Sequence, residues 1–203
     1  MEKYPPEMRQ ALSGNLDLSK MPYLERNTFK AFQNPKHDWR DGTLKSSFNY
    51  LLLDPRITKN LPNRECNMNK LDVFRTFISA IFYIGKGMRD RPYFHLYEAI
   101  KHKKSPTKKA SGKVQRILDI WSGGEGVVSL HCFQSVIPVE AYTREACMVD
   151  AIGLKHLTNK KRGNYYGKSV HYSEQRRRRM GVYLLKKVLH IFIAEGGTTI
   201  FTR

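Results

Sequence analysis

Apolar residues along the chain fall into short clusters separated by polar, Pro-rich or Gly-rich breaks, and the spacing within each cluster predicts its conformation. Residues 1–45 read as a polar arm with short helical pieces. Within it Ser19 caps a helix that carries Pro22 in its first turn, where a missing N–H loses no partner. Leu24, Phe29 and Phe32 are that helix's packing positions, and Pro35 and Asp41-Gly42 break the pattern. Residues 48–53 are a run of strand formers ended by Asp54-Pro55, and 54–70, rich in Asn and Pro, read mainly as loop. Residues 77–84 are apolar at successive positions and end at Gly85, which predicts a strand buried on both faces.

A short basic loop, 85–91, leads to Pro92, placed to open a helix that runs to about Lys101 with Phe94, Leu96, Tyr97 and Ile100 as packing residues. Residues 102–113 are rich in Lys and Ser and read as a mobile loop. A helix follows over 113–121, with Val114, Ile117, Leu118 and Trp121 at helical spacing and Gly123-Gly124 at its end. A third strand is expected over 127–133, then a helix over 141–157 built on Ala146, Val149, Ile152 and Leu157, then a basic loop over 159–164. Ser173 or Glu174 opens a last helix through Ile193. The order of strands and helices implies a small α+β domain, a short sheet with helices against it. Three parts are expected: an N-terminal arm (1–45), a core (46–172) and a basic C-terminal helix (173–203) packed on or next to that core. No internal repeat is visible.

Charge changes this picture more than composition does. Lys and Arg number 36 against 18 Asp and Glu, a formal net charge of +18. Self-repulsion of that size in a compact state calls for a polyanionic partner. The last helix does not account for it, because 174–203 hold seven Lys and Arg against two Glu. The basicity is spread over the domain, as on a surface that tracks a phosphate backbone. Ribosome-like or merely solubilising charge is the bland alternative. Cys66, Cys132 and Cys147 are odd in number and form no C-x-x-C pair, which points to a reducing compartment rather than a disulfide framework. Cys132 and Cys147 read as small core residues. The polar start MEKYPPEMRQ lacks the apolar region of a signal, and no apolar run is long enough for insertion into a membrane.

Phosphodiester hydrolysis needs an activated water, stabilisation of the growing phosphate charge and neutralisation of the leaving oxygen. A carboxylate that holds a divalent cation, an arginine aimed at the phosphate and a polar group that orients the water meet those needs. Arg91 and His95, at i and i+4, share a helix face just past the end of the 83–85 segment. Glu145 lies in an otherwise apolar helix beside Arg144, and Asn159 follows that helix. Glu140 and Asp150 are rival carboxylates. Glu145 suits a surface pair with Arg144 or Lys155, and Asn159 suits the cap of a turn.

Tyr83-Ile84-Gly85-Lys86-Gly87, followed by Arg89-Asp90-Arg91, resembles the second half of the signature of the GIY-YIG nucleases. Phe48-Asn49-Tyr50 stands where the first half belongs, with only its tyrosine matching. Arg144-Glu145-Ala146-Cys147-Met148-Val149 resembles the family's glutamate helix, and Asn159 its downstream asparagine. The wider match through Arg91-Pro-Tyr-Phe-His-Leu-Tyr-Glu98, Leu130-His-Cys-Phe133 and Tyr142-Thr-Arg-Glu-Ala-Cys-Met148 is similar to the nuclease domain of animal ankyrin-repeat and LEM-domain endonucleases. The two tyrosines lie 33 positions apart where the family has a tight hairpin, so 54–70 reads as an insertion.

The resemblance implies a GIY-YIG nuclease fold and Mg2+- or Mn2+-dependent cleavage of branched or distorted double-stranded DNA. It implies a role in genome maintenance, including processing of DNA that links dividing cells, in the nucleus and cytoplasm. It also implies that the chain is a C-terminal piece of a longer protein. A monomer is the expected state, with a dimer left open. Carried over residue by residue, Glu145 holds the cation, Tyr50 is the general base or orients the water, and Tyr83 contacts the phosphate or the water. Arg91 stabilises the phosphate charge, His95 assists, and Asn159 positions the glutamate or the backbone near the metal. Lys86, Arg89, Lys160, Lys161, Arg162 and Arg176, Arg177, Arg178 and Arg179 are the candidate DNA contacts, the last four being equally a solvated charge run or a nuclear-import patch. The alternative from another class is a catalytically inactive nucleic-acid-binding module; an RNA-associated basic protein is a third reading.

Overall fold

The computed structural model describes residues 4–34, 37–105 and 109–202. Pro35, expected as a breaker, and residues 106–108 of the expected Lys-rich loop lie outside them. Four strands, β1 (Ser47–Leu53), β2 (Ile81–Gly87), β3 (Val127–Val136) and β4 (Thr198–Ile200), form one antiparallel sheet in the order β2-β1-β3-β4. The central β1 is covered on both faces, so Leu51, Leu52 and Leu53 are all fully buried. That is why the second half of the strand, from Tyr50 to Leu53, is continuously apolar rather than alternating.

On one face of the sheet lie α1 (Pro6–Leu12), α5 (Lys70–Ala80), α8 (Pro138–Ile152) and α9 (Glu174–Glu195). Met8, Leu51, Leu53, Phe77, Met148 and Leu185 share that core. On the other face α6 (Phe94–Lys104) and α7 (Gly112–Ser122) pack Leu96, Ile117 and Trp121 against Tyr50 and Leu52. The α2 helix (Met21–Lys30) packs beside α9, and Leu24, Phe29 and Phe32 are buried. Arg144 links α2 to α8 by donating to Glu25 at 3.0 Å and Glu140 at 2.8 Å. The fold is therefore α+β, a four-stranded antiparallel sheet flanked by helices, with helical segments before and after it. No helix among the described residues is long and apolar enough to cross a membrane.

Two local features set where α8 lies. Gly181 of α9 sits against it so closely that a Cβ there would fall 1.9 Å from the Cys147 carbonyl oxygen. Buried Asn49 of β1 donates from Nδ2 to the Ala141 carbonyl at 2.9 Å, tying the start of the helix to the sheet. Gly153, at φ +84°, ends α8.

Several expectations are corrected. Residues 77–84 are not one strand: α5 runs through Ala80 and β2 begins at Ile81. Val73, Phe74, Phe77 and Ile78 repeat at helical spacing, and the Asn69 side chain caps the helix by accepting from the Asp72 N–H. Residues 54–70 are not mainly loop but two four-residue helices, α3 (Pro55–Thr58) and α4 (Leu61–Arg64), and a 3-10 turn, with the Asp54 side chain capping α3. The cap residue of α2 is Lys20, not Ser19. The expected helix over 141–157 spans Pro138–Ile152, followed by a separate 3-10 turn. The expected loop over 102–113 shrinks, because α6 continues through Lys104 and Ser111 caps α7. Phe94 and Tyr97 are exposed, because the buried side of α6 is carried by His95, Leu96 and Ala99. The short strand β4, after Gly196, was not anticipated; Trp121 Nε1 holds it by donating to the Ile200 carbonyl at 3.1 Å.

Candidate active site

Pairing of β1 with β2 survives the three helices inserted between them. Tyr50 stands opposite Gly85 and Leu52 opposite Tyr83, so the two tyrosines share one face of the sheet. The glycines after Tyr83 have a steric reason. A Cβ at Gly85 would lie 2.4 Å from Cζ of Tyr50, and a Cβ at Gly87 would lie 2.5 Å from Cβ of Arg91. Gly85 thus leaves room for the Tyr50 ring, and Gly87 lets the chain turn so that Arg91 comes back over the strand end.

Behind the tyrosines lies a buried relay. His95 Nε2 is 2.8 Å from the Tyr50 hydroxyl, and His95 Nδ1 is 2.7 Å from Lys113 Nζ. Burial, then the charges of Lys113 and Arg91, hold the imidazole pKa down to about 3, so the ring is neutral at physiological pH. Burial also lowers the Lys113 ammonium, while Glu98, 3.7 Å away, favours its charge. An ammonium only donates. The network therefore assigns Nδ1 as acceptor from Lys113 and Nε2–H as donor to the Tyr50 oxygen. The Tyr50 proton is left for the Tyr83 hydroxyl, with which it interacts. Burial pushes the Tyr50 phenol well above its ordinary value, with the neighbouring Tyr83 adding to the effect. The lowered pKa a resting phenolate base requires is absent, and the orienting role is the one its surroundings favour.

Glu145 approaches the same place from α8. It shares a pocket of about 380 Å³ with Tyr50, Tyr83, Lys86, Arg91, Lys113, Asn159, Lys160 and Lys161. Burial raises its carboxyl to about 7, against a weaker opposing effect of Lys86. Among the described residues its carboxylate has no hydrogen bond or ion pair, and no three His, Cys, Asp or Glu side chains gather as a metal cage. Rival Glu140 is taken by Arg144 and rival Asp150 accepts from the Tyr165 hydroxyl at 2.6 Å. A single carboxylate in an open polar pocket suits a hydrated Mg2+ or Mn2+, an ion that would keep most of its other ligands from solvent or substrate. It does not fit a closed zinc site.

Asn159 has a definite job. Its Oδ1 accepts from the Ile84 N–H at 3.1 Å and its Nδ2 donates to the Ile84 carbonyl at 2.7 Å. It thereby satisfies the outer side of edge strand β2 and holds the 159–164 loop beside the pocket. It positions backbone, and among the described residues it makes no hydrogen bond to Glu145. Lys86 extends over the Tyr142 ring, 3.5 Å from its centroid. Lys160 and Lys161 are exposed at the rim, and Arg89 is exposed in the turn after β2.

The remaining basic candidates are not gathered into the pocket. Arg162 pairs with Glu174 at 3.5 Å. Arg178 donates to buried Glu7 at 2.6 Å, and Arg177 donates to the Ser169 and Val170 carbonyls. Arg179 is half-buried, and Arg176 is exposed above the Tyr172 ring. This run largely holds the arm and the preceding loop onto α9. A larger cleft of about 950 Å³, between α3, α4 and the end of α9, contains none of the candidate catalytic residues.

Reading the sequence missed Lys113 and Asn49. The Ser111-Gly112-Lys113-Val114 start of α7, in which Ser111 Oγ accepts from the Val114 N–H, was a usable cap signal. It would have placed Lys113 in the first turn rather than at a loop's end. Nothing in the sequence distinguishes Asn49 before its partner is known.

Comparison with known proteins gives a family model and three relatives. The model described as the LEM-3-like GIY-YIG domain matches residues 47–203. Ankyrin repeat and LEM domain-containing protein 1 of Mus musculus is 54% identical over 163 residues, covering 80% of this chain and 30% of the relative. The Homo sapiens protein of the same name is 54% identical over 167 residues, covering 80% and 27%. The Caenorhabditis elegans homolog is 31% identical over 153 residues, covering 74% and 21%. The chain therefore spans less than a third of the length of the curated relatives it matches. No solved structure matches.

Proposed function

The chain belongs to the LEM-3-like GIY-YIG family of nuclease domains, and on that premise we propose that it is a divalent-metal-dependent endonuclease that cuts branched or distorted DNA. The observation that carries this reading is Glu145, a carboxylate without a hydrogen-bond or ion-pair partner among the described residues, which shares one pocket with Tyr83, Arg91 and Lys86. Glu145 would hold the cation, Mg2+ or Mn2+. The bound ion would supply Lewis acidity and neutralise the leaving alkoxide. Arg91, exposed and free of ion pairs among the described residues, meets the phosphate and stabilises its growing charge. Lys86, Lys160 and Lys161, with Arg89, hold the flanking backbone.

Tyr50 and Tyr83 orient the attacking water through their hydroxyls. The His95 Nε2–H that points at the Tyr50 oxygen fixes the direction of that hydroxyl, and Lys113 fixes the ring in that form. Lys113 is thus a positioning residue, acting on Tyr50 through His95. The biological setting that follows is genome maintenance, including DNA that links dividing cells, in the nucleus and cytoplasm. The test is incubation with a branched DNA and a matched linear duplex, with and without Mg2+ or Mn2+. The reading expects metal-dependent cutting of the branched substrate that Glu145→Gln abolishes. Binding without cutting would identify an inactive binding module instead.

A further inference from the structure

Two large aromatic side chains on α6 face outward. Phe94 is 51% exposed and Tyr97 62%, while Leu96 and Ala99 of the same helix are buried. Lys101 and Lys104, both exposed, continue the face at helical spacing. The face starts at the pocket: the Arg91 guanidinium carbon lies 5.6 Å from the centroid of the Phe94 ring, and Arg91 lines the pocket. His95, next to Phe94, turns the other way, onto Tyr50. Met88, 52% exposed, stands in the turn just before this helix.

Resting on the nuclease reading, we infer that the Phe94–Tyr97 face of α6 is a stacking platform for unpaired nucleobases of the strand whose phosphate meets Arg91. Such a platform selects DNA in which the bases beside the cut are unstacked. A paired duplex offers an approaching ring its sugar–phosphate rails and base edges, not base faces. A branch point or single-stranded flap offers the faces, and stacking on an aromatic ring tolerates any base sequence. The order along the face suits one strand: guanidinium for a phosphate, two rings for bases, then lysines for further phosphates. Charge favours DNA over a protein as the occupant. Lys101, Lys103 and Lys104 crowd the far end, and the one acidic neighbour on the face, Glu98, is drawn toward Lys113.

The test uses the full chain carrying Glu145→Gln, so that DNA is bound and not cut. The probe is a branched DNA with 2-aminopurine at unpaired positions beside the branch, against a linear duplex carrying the same base in a pair. The expected result is fluorescence quenching on binding the branched DNA. Adding Phe94→Ala and Tyr97→Ala is expected to abolish the quenching and weaken branched binding about ten-fold, while duplex binding stays unchanged and Tyr97→Trp restores the quenching. Circular dichroism checks that these surface variants fold. Equal weakening on both DNAs, or no change on either, overturns the platform while leaving the nuclease reading intact. Failure of the parent chain to bind any DNA overturns both. A dimer in gel filtration that the alanine pair dissolves assigns the face to self-association and overturns the platform.

Discussion

Lys113 Nζ lies 2.7 Å from Nδ1 of His95, on the side of the ring away from Tyr50, whose hydroxyl is 2.8 Å from Nε2. One imidazole thus carries the influence of a cation on α7 to a phenol on β1. Lys113→Met keeps the apolar stem and removes the donor. Turnover is expected to fall about 10–100-fold, the usual scale for losing a group that orients a reacting one, with little change in KM. Long-range 1H–15N NMR reads the ring directly: the parent shows the Nε2–H form and the variant a mixture. A His95 signal that is the same in both chains would remove Lys113 from the relay.

The raised carboxyl of Glu145 has a consequence for stability. An acid whose folded pKa is about 7, against about 4.3 unfolded, binds its proton more tightly in the folded state. Stability therefore falls as pH rises through that window. Glu145→Gln is expected to melt higher than the parent at pH 8, by a few degrees for ~1 kcal/mol in a chain of this size, and at the same temperature at pH 4. Adding Mg2+ at pH 8 should raise the melting temperature of the parent and leave that of the variant unchanged.

Removing the side chain of Asn159 takes away both hydrogen bonds on Ile84. Asn159→Ala should cost about 1–3 kcal/mol, the range for stranding partly buried backbone groups. Faster hydrogen exchange at the Ile84 amide, with most other core amides unaffected, would locate the damage at the β2 edge.

Gly85→Ala would place a methyl group 2.4 Å from the Tyr50 ring. The ring must shift, at a cost of about 1–3 kcal/mol as for other overpacked cores. Turnover should drop sharply while DNA affinity changes little, which single-turnover kinetics and anisotropy would separate.

The arginine run and the 160–161 lysines should separate by assay. Arg178→Ala leaves buried Glu7 without its partner and should lower the melting temperature with little effect on DNA affinity. Lys160→Ala and Lys161→Ala should leave melting unchanged, weaken binding, and each reduce the salt slope by about one. The reverse pattern would return Arg178 to the DNA surface.

Much of this was written locally. Apolar runs, helical spacing and terminal signals marked β1, α7, α9 and most of α8, and the Tyr83-Ile84-Gly85 and Arg144-Glu145 segments carried the family resemblance, because each is a short contiguous pattern. The net charge required nothing beyond counting. What failed did so where local patterns are degenerate. Residues 77–84 are apolar whether helical or extended, and only packing of α5 against the sheet set the change at Ala80 and Ile81. The exposure of Phe94 and Tyr97 depends on which side of α6 meets the core, which helix periodicity alone does not specify when most positions are bulky. The relay from Lys113 through His95 to Tyr50 joins residues 18 and 45 positions apart. The clamp of Asn159 on Ile84 spans 75. Such contacts exist only once β2, α6 and α7 have packed on one face of the sheet and α8 has closed on the other, so the tertiary structure alone decided which polar residues meet.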